Sequence, residues 1–197
     1  MLQVKNVKVY DLEESVIACR NSMRTAIPEY TKEEFEKSLE RACKLAPLGN
    51  GHNNFLCGIR VAFDLVYPNY ISPEMQRYHF FDIVNSSSKM HKLVKMDMDA
   101  CFNKYVTDES KEQMKRLLDA YNTMVNARAG QDAIYQAFMR VLSNCPLGVE
   151  LFMRCTTNYL QLRTIYKQRK NHKLKEDWGA FCKFIEELPY FEEFILA

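Results

Sequence analysis

Apolar side chains occupy every second position from Phe55 to Tyr67, and this pattern restricts the fold more than any other feature of the sequence. The positions that keep it are Phe55, Cys57, Ile59, Val61, Phe63, Leu65 and Tyr67. A period of two places one face of a β-strand against a core. The other face is mixed, so it would be half solvated or would contact a partner subunit. The sequence therefore predicts a long strand that ends at Pro68.

Two further segments alternate, and most of the remaining chain has helical spacing. Leu2 to Tyr10 predicts an edge strand, and Val149 to Cys155 predicts another strand. Thr31 and Glu34 form a capping box, and Ser72 with Pro73 is typical of an N-cap followed by N1. The predicted helices run from Asp11 to about Met23, from Thr31 to before Pro47, from Ser72, from Thr107 or Asp108 to beyond Val125, from Gln131 to about Leu142, from Asn158 to Lys170, and from Lys175 to Glu187. Few strands among several helices, without a βαβ rhythm, predict an α+β fold.

Composition restricts the class of protein. The chain has 197 residues, of which 47% are hydrophobic and 26% charged, and its formal net charge is +2. These values are typical of one globular domain spanning residues 1–197, and they do not favour nucleic acid or a membrane as a partner. No apolar run approaches the ~18 residues of a membrane span, and the N-terminus does not resemble a signal peptide. The 7 cysteines show no C-x-x-C spacing, so we expect free thiols and a cytoplasmic location.

A polar and aromatic cluster follows the long strand. Gln76 to His79 is succeeded by a run of asparagine, serines, lysine and histidine up to His91. Hydroxyls and cations on a turn suit a phosphate, and neighbouring aromatic rings suit a planar group. A solvated loop with aromatic anchors is an equal alternative, whereas zinc ligation and a serine nucleophile lack the required partner residues. His52, in the loop before the strand, fits either a ligand contact or a capping role.

A second basic segment, Asn158 to Asp177, lies near the C-terminus. On a helix its apolar residues Leu162, Ile165 and Tyr166 would face inward, and Arg163, Lys167 and Lys170 would line another side. A basic helix face is usually only solvated. Asn158, Arg169 and His172 gain functional meaning if the fold brings them beside the first cluster.

Read in order, these segments resemble the flavin-dependent thymidylate synthases, the ThyX family, over most of the chain from about Val16. Residues 17–22, IACRNS, weakly echo the early Ala-Arg-x-Ser/Cys stretch of that family, and Gly51-His52 begins a loop similar to its G-H-x-S-P-F-E-H. The family motif R-Q-W-x-R-H-R-x-x-S-x-N-x-x-S-x-R corresponds to the segment that contains EMQRYHFFDIVNSSSKM. Arg77 matches its R-H-R arginine and Ser87 its second serine. The differences are Tyr78, His79, Asp82, Val84 and Lys89.

The C-terminal segment is more similar to the family. Its N-x-R-x-L…F-x-x-x-R pattern corresponds to Asn158 through Arg169, with Leu160 in place of the arginine. His172 begins a stretch similar to H-A-Q-x-E-I-R, with Leu174 in place of the glutamine. The closing LPYFEEFI also resembles the family's end.

The resemblance implies a twisted antiparallel or mixed sheet flanked by helices, and a homotetramer that binds FAD and a pyrimidine deoxynucleotide such as dUMP between subunits. Methylenetetrahydrofolate and NADPH are the implied co-substrates. By position, the implied FAD contacts are His52, Arg77, His79, Asn158, Thr164 and His172. The implied substrate contacts are Ser87, Lys89 and Arg169, with Arg169 and Ser87 as catalytic residues.

The differences from the family motif leave two functions open. Asp82 puts a carboxylate where the family has a hydroxyl, and the changes at His79, Lys89 and Leu160 remove bidentate guanidinium forks. The first hypothesis is a divergent thymidylate synthase-like flavoenzyme, with a different pyrimidine as a variant of it. The second is a non-catalytic or repurposed protein that binds a nucleotide, flavin or partner protein in the inherited cleft.

Overall fold

A four-stranded antiparallel sheet is the centre of the fold, in a computed structural model that describes residues 1–197. The strands are β1 (Gln3–Tyr10), β2 (Arg60–Pro68), β3 (Asp82–Ser86) and β4 (Glu150–Asn158), in the order β1-β2-β4-β3. The predicted α+β class is confirmed, with β1 at an edge. β3 was not predicted, because its sequence DIVNS places two apolar residues side by side and shows no alternation. It forms because β4 offers it a hydrogen-bonding edge, with Asp82 opposite Thr156.

The helices agree closely with the sequence pattern in the second half of the chain. They are α1 (Leu12–Ala18), α2 (Lys32–Leu45), α3 (Phe55–Gly58), α4 (Ser72–Met75), α5 (Lys89–Lys92), α6 (Asp108–Asn126), α7 (Gln131–Ser143), α8 (Tyr159–Arg169) and α9 (Lys175–Glu186). Short 3-10 turns cover Asn21–Met23, Asn69–Ile71 and Leu93–Lys95, and a π-helix covers Phe191–Leu196. The caps that sequence predicts at Thr31 and Thr107 accept hydrogen bonds from Glu34 N and Ser110 N.

Three predicted boundaries were wrong. The long strand begins at Arg60 rather than Phe55, because Phe55 and Leu56 are adjacent and both buried, which one helical turn allows and a strand face does not. The first helix ends at Ala18, before the 3-10 turn, rather than near Met23. Ser72 is the first helical residue of α4 and not its N-cap, since the preceding 3-10 turn already supplies that position.

The main core lies on one face of the sheet. Phe63, Leu65, Met153 and Cys155 point from β2 and β4 into this core, where α8 and α9 cover them. A smaller core lies under the α6–α7 hairpin. The opposite sheet face has no covering layer, and Phe152 on it is 63% exposed. This face therefore remains available to solvent or to another chain.

Buried polar groups on α8 and α9 tie distant segments together. Arg163 was predicted to face outward with the other basic residues, and this was wrong: it is buried and donates to the carbonyls of Ala46 and Ala197. Burial lowers the pKa of its guanidinium. Asp177 accepts from Leu2 N at 3.0 Å and from Tyr70 Oη at 2.7 Å. All cysteines are free thiols, as predicted. None of the helices has the length and apolar character needed to cross a membrane.

Candidate functional site

The two basic segments meet in one cleft, which we call the arginine cleft. The turn after α4 supplies one wall and the outer side of α8 supplies the other. Its volume is about 470 Å³, and its lining residues are Arg77, Tyr78, His79, Gln161, Thr164, Gln168 and Arg169. Segments separated by about eighty residues of chain thus form one concave surface with two guanidiniums, as the functional hypothesis requires.

Arg169 is fixed at the end of this cleft by three neighbours. Its Nη1 donates to Glu74 Oε2 at 2.8 Å and its Nε donates to Tyr78 Oη at 2.6 Å. Its guanidinium lies 4.3 Å from the ring centroid of Trp178. The same Glu74 oxygen accepts from Trp178 Nε1 at 2.9 Å. Because the Arg169 side chain is only 14% exposed, these contacts hold the guanidinium in one orientation.

Tyr78 and His172 complete the surroundings of Arg169. Burial raises the pKa of the Tyr78 phenol, and the hydrogen bond from Arg169 opposes that rise. Tyr78 Oη also donates to Gln168 Oε1 at 3.1 Å. His172 Nε2 is 3.9 Å from Glu74 Oε2, and its Nδ1 accepts from Leu174 N. His172 therefore approaches the carboxylate that holds Arg169 and does not line the arginine cleft.

The remaining groups of the arginine cleft have spare hydrogen-bonding capacity. Arg77 and His79 are exposed, and the Arg77 guanidinium has no hydrogen-bond partner within the chain. Thr164 Oγ1 donates to Leu160 O, which leaves its lone pairs free for a ligand. Gln161 uses its side-chain oxygen to accept from Phe80 N. The opening of the cleft thus presents mainly donors, which suits carbonyl or phosphate oxygens.

Ser87 lies in a second cavity, the serine cleft, on the uncovered face of the sheet. This cavity measures about 960 Å³, and Ser86, Ser88, His91, Lys92 and Lys95 also line it. Ser87 Oγ accepts from Phe152 N at 3.0 Å, so the hydroxyl anchors the end of β3 to β4. Lys89, at the start of α5, is not part of the lining. Asp82 is at the opposite end of β3, where Arg60 Nη2 is 3.9 Å from its carboxylate.

The serine cleft and the arginine cleft are not continuous within one chain. β3 separates them, and a strand of this length spans about 15 Å at roughly 3.3 Å per residue. The structure therefore does not bring Ser87 and Lys89 beside Arg169 in a single subunit.

His52 lies in a third cavity. This cavity has a volume of about 640 Å³, and basic residues also line it: Arg20, Lys37, Arg41 and Lys44. The lining of this cavity thus combines the segment that resembles the early family motif, residues 17–22, with the Gly51-His52 loop.

Asn158 lies outside all of these cavities. It is buried as the N-cap of α8, where its Oδ1 accepts from Gln161 N at 2.9 Å. Its side chain supports α8 and does not line the arginine cleft.

Sequence reasoning missed Glu74 and Trp178, which contact Arg169 directly. Glu74 was read only as part of a helix start, and Trp178 only as part of an amphipathic helix. The signal in the sequence was Trp178 itself, which is the single tryptophan of the chain. It lies four residues before Cys182, in a predicted helix that also carries acidic residues. Periodicity cannot show that the indole N–H and the guanidinium share one carboxylate oxygen.

The arrangement of sheet, flanking helices and arginine cleft defines an α+β protein of the flavin-dependent thymidylate synthase fold. The flavin-dependent thymidylate synthase ThyX from Helicobacter pylori, in complex with FAD and dUMP, matches with a TM-score of 0.66. The match covers 98% of this chain and 97% of that chain, at 14% sequence identity. A second structure, thymidylate synthase X from the same organism with FAD and dUMP, matches with a TM-score of 0.67 and 14% identity over 99% and 97% of the two chains.

These matches establish the fold. No protein-family model matches the sequence, and a search of curated proteins finds no sequence match. The resemblance noted in the sequence is thus confirmed for a divergent chain at the level of three-dimensional structure.

Proposed function

We propose that this protein is a divergent thymidylate synthase-like flavoenzyme that reductively methylates dUMP or a related pyrimidine nucleotide. The observation that carries the proposal is the arginine cleft, in which residues 77–79 and 161–169 converge on a fold shared with ThyX proteins that bind FAD and dUMP. Fold similarity alone would not define an activity, since one fold hosts many functions. The placement of the two basic segments in one cleft supplies the site-level argument.

The donor set of the cleft fits a flavin and a nucleotide. Arg77 and His79 would donate to FAD at the cleft opening, since neither side chain has a hydrogen-bond partner within the chain. Thr164 would accept from FAD through its lone pairs, because its hydroxyl proton is donated to Leu160 O. Arg169 would orient the nucleotide, since its guanidinium is already fixed in place. The flavin supplies the hydride when bound, methylenetetrahydrofolate the carbon and NADPH the electrons, so the role of the protein is binding and orientation.

The active assembly in this proposal is a homotetramer in the cytoplasm. The length of β3 separates Ser87 and Lys89 from the arginine cleft, so within one subunit they would not hold the same small nucleotide as Arg169. A neighbouring subunit would supply them, and the uncovered sheet face offers a surface for that contact. Val84 and Phe152 on this face are 62% and 63% exposed, which suits an interface better than solvent.

Absorbance and complementation together test the proposal. The purified protein should be yellow or should gain a flavin spectrum on addition of FAD, and FAD should raise its melting temperature. It should elute as a tetramer, and it should relieve the growth requirement of a thymidine-dependent strain. A colourless protein without a thermal shift in FAD would contradict the flavoenzyme proposal.

The second candidate is a non-catalytic or repurposed relative that binds a nucleotide, a flavin or a partner protein in the same cleft. Its specific support is the ion pair that occupies Arg169 and the carboxylate of Asp82 beside Arg60. Flavin binding without complementation would favour this candidate or an enzyme that modifies a different pyrimidine. Turnover of free pyrimidine nucleotides with reduced flavin would then separate those two.

A further inference from the structure

The guanidinium of Arg169 closes one end of the arginine cleft, and Glu74 is its acidic partner. One carboxylate oxygen accepts both from Arg169 Nη1 at 2.8 Å and from Trp178 Nε1 at 2.9 Å. The side chains of Arg169 and Glu74 are 14% and 29% exposed, so solvent screens the pair only partly. The carboxylate therefore cancels most of the charge that Arg169 would otherwise present to a ligand.

This arrangement also decides which ligand atoms Arg169 can bind. Its Nε is used by Tyr78 and its Nη1 by Glu74, while the indole of Trp178 covers one face of the guanidinium. Only Nη2 has no hydrogen-bond partner. A phosphate is best held by two parallel N–H groups and a net positive charge, whereas a carbonyl oxygen needs one donor and no charge.

We propose that Glu74 is a specificity-determining residue, which makes this end of the cleft accept an uncharged carbonyl-bearing heterocycle and exclude phosphate. Glu74 acts through Arg169 and is a positioning residue. Under the proposed function, the nucleotide base lies against Arg169 and its phosphate lies elsewhere. Removing the negative charge of Glu74 should convert Arg169 into an anion-binding group without changing the shape of the cleft.

The single tryptophan makes the test direct, because Trp178 contacts both members of the ion pair. Inorganic phosphate is titrated at low ionic strength while Trp178 fluorescence is followed. Glu74→Gln keeps the size of the side chain and an oxygen acceptor, and we expect it to bind phosphate about tenfold more tightly than the wild type. Glu74→Ala removes the same charge through a different side chain and should give the same direction of change.

Two controls separate this effect from general charge and from misfolding. Glu29→Gln removes one exposed negative charge from the loop before α2 and should leave phosphate binding unchanged. Glu74→Asp keeps the charge and should keep phosphate excluded. The proposal is overturned if wild type and both charge-removing variants bind phosphate equally, or if none of them responds to it.

A competition experiment distinguishes this inference from the proposed function, on which its choice of heterocycle depends. Uncharged deoxyuridine should bind the wild type, and phosphate should displace it only from Glu74→Gln. If deoxyuridine does not bind, the pyrimidine substrate is refuted, whereas the phosphate titration still decides the role of Glu74.

Discussion

The ion pair between Glu74 and Arg169 should contribute measurably to folding, and a double-mutant cycle can isolate its energy. The cycle combines Glu74→Gln, Arg169→Met and the double variant. Glutamine keeps the shape of the acid, and methionine keeps most of the length of the arginine side chain. The coupling energy is the change in unfolding free energy of the double variant minus the sum of the changes in the two single variants.

The magnitude follows from distance and burial. An exposed ion pair contributes about 0–1 kcal/mol, and breaking a fully buried one costs about 3–5 kcal/mol. Glu74 and Arg169 are separated by 2.8 Å and are 29% and 14% exposed, which places them between these limits after allowance for solvent screening. We expect a coupling of about 2 kcal/mol, close to a thirtyfold change in the folding equilibrium constant.

Urea unfolding followed by circular dichroism is the appropriate assay, because tryptophan fluorescence would report the altered site itself. Glu33 and Lys37 on α2 provide a matched control, since their charged atoms are 2.7 Å apart but the side chains are 78% and 58% exposed. Their coupling should be far smaller. If the cycle at 74 and 169 gives no more coupling than the cycle at 33 and 37, the reasoning from burial is refuted.

Three further predictions separate binding, capping and burial. Arg77→Ala should change stability by less than about 0.5 kcal/mol, because the side chain is exposed, yet it should reduce the thermal shift caused by FAD. Asn158→Ala should lower the unfolding free energy by about 1–2 kcal/mol, and Asn158→Asp should restore it; equal stability of all three proteins would contradict the capping role. Burial raises the pKa of Cys155 to about 12 and that of Cys182 to about 11, so thiols of the unfolded chain ionise first as pH rises. Stability should therefore be full below about pH 8.5 and fall from there toward pH 11–12, and Cys182→Ala should reduce this fall in urea-unfolding curves.

Local periodicity was sufficient for the regular elements of the second half of the chain. Thr107 is the N-cap of α6 and Gly130 is the N-cap of α7. Both helix starts could be predicted because caps act through backbone groups only a few residues away. The same locality explains the edge strand β1 and the end of β2 at Pro68. β3 escaped prediction because its stability comes from hydrogen bonds to β4, about seventy residues away in sequence.

Most of the side chains that line the candidate site could likewise be predicted from the sequence, but their relative positions could not. Arg77, His79, Thr164 and Arg169 were expected to act together, and the fold brings them into one cleft. His52 was expected to contact FAD and Ser87 the nucleotide, and the fold places each of them in a cavity other than the arginine cleft. Side-chain type limits which bonds a residue can form, whereas the neighbours that complete those bonds depend on how the elements pack.

The sequence by itself determined the α+β class, most helix boundaries and the types of functional group available for binding. Only the tertiary structure decided that Arg163 is buried and that Glu74 neutralises Arg169. The reason is physical: helix and strand periods arise from contacts over a few residues, but burial and charge pairing depend on atoms that approach each other only after the chain has folded.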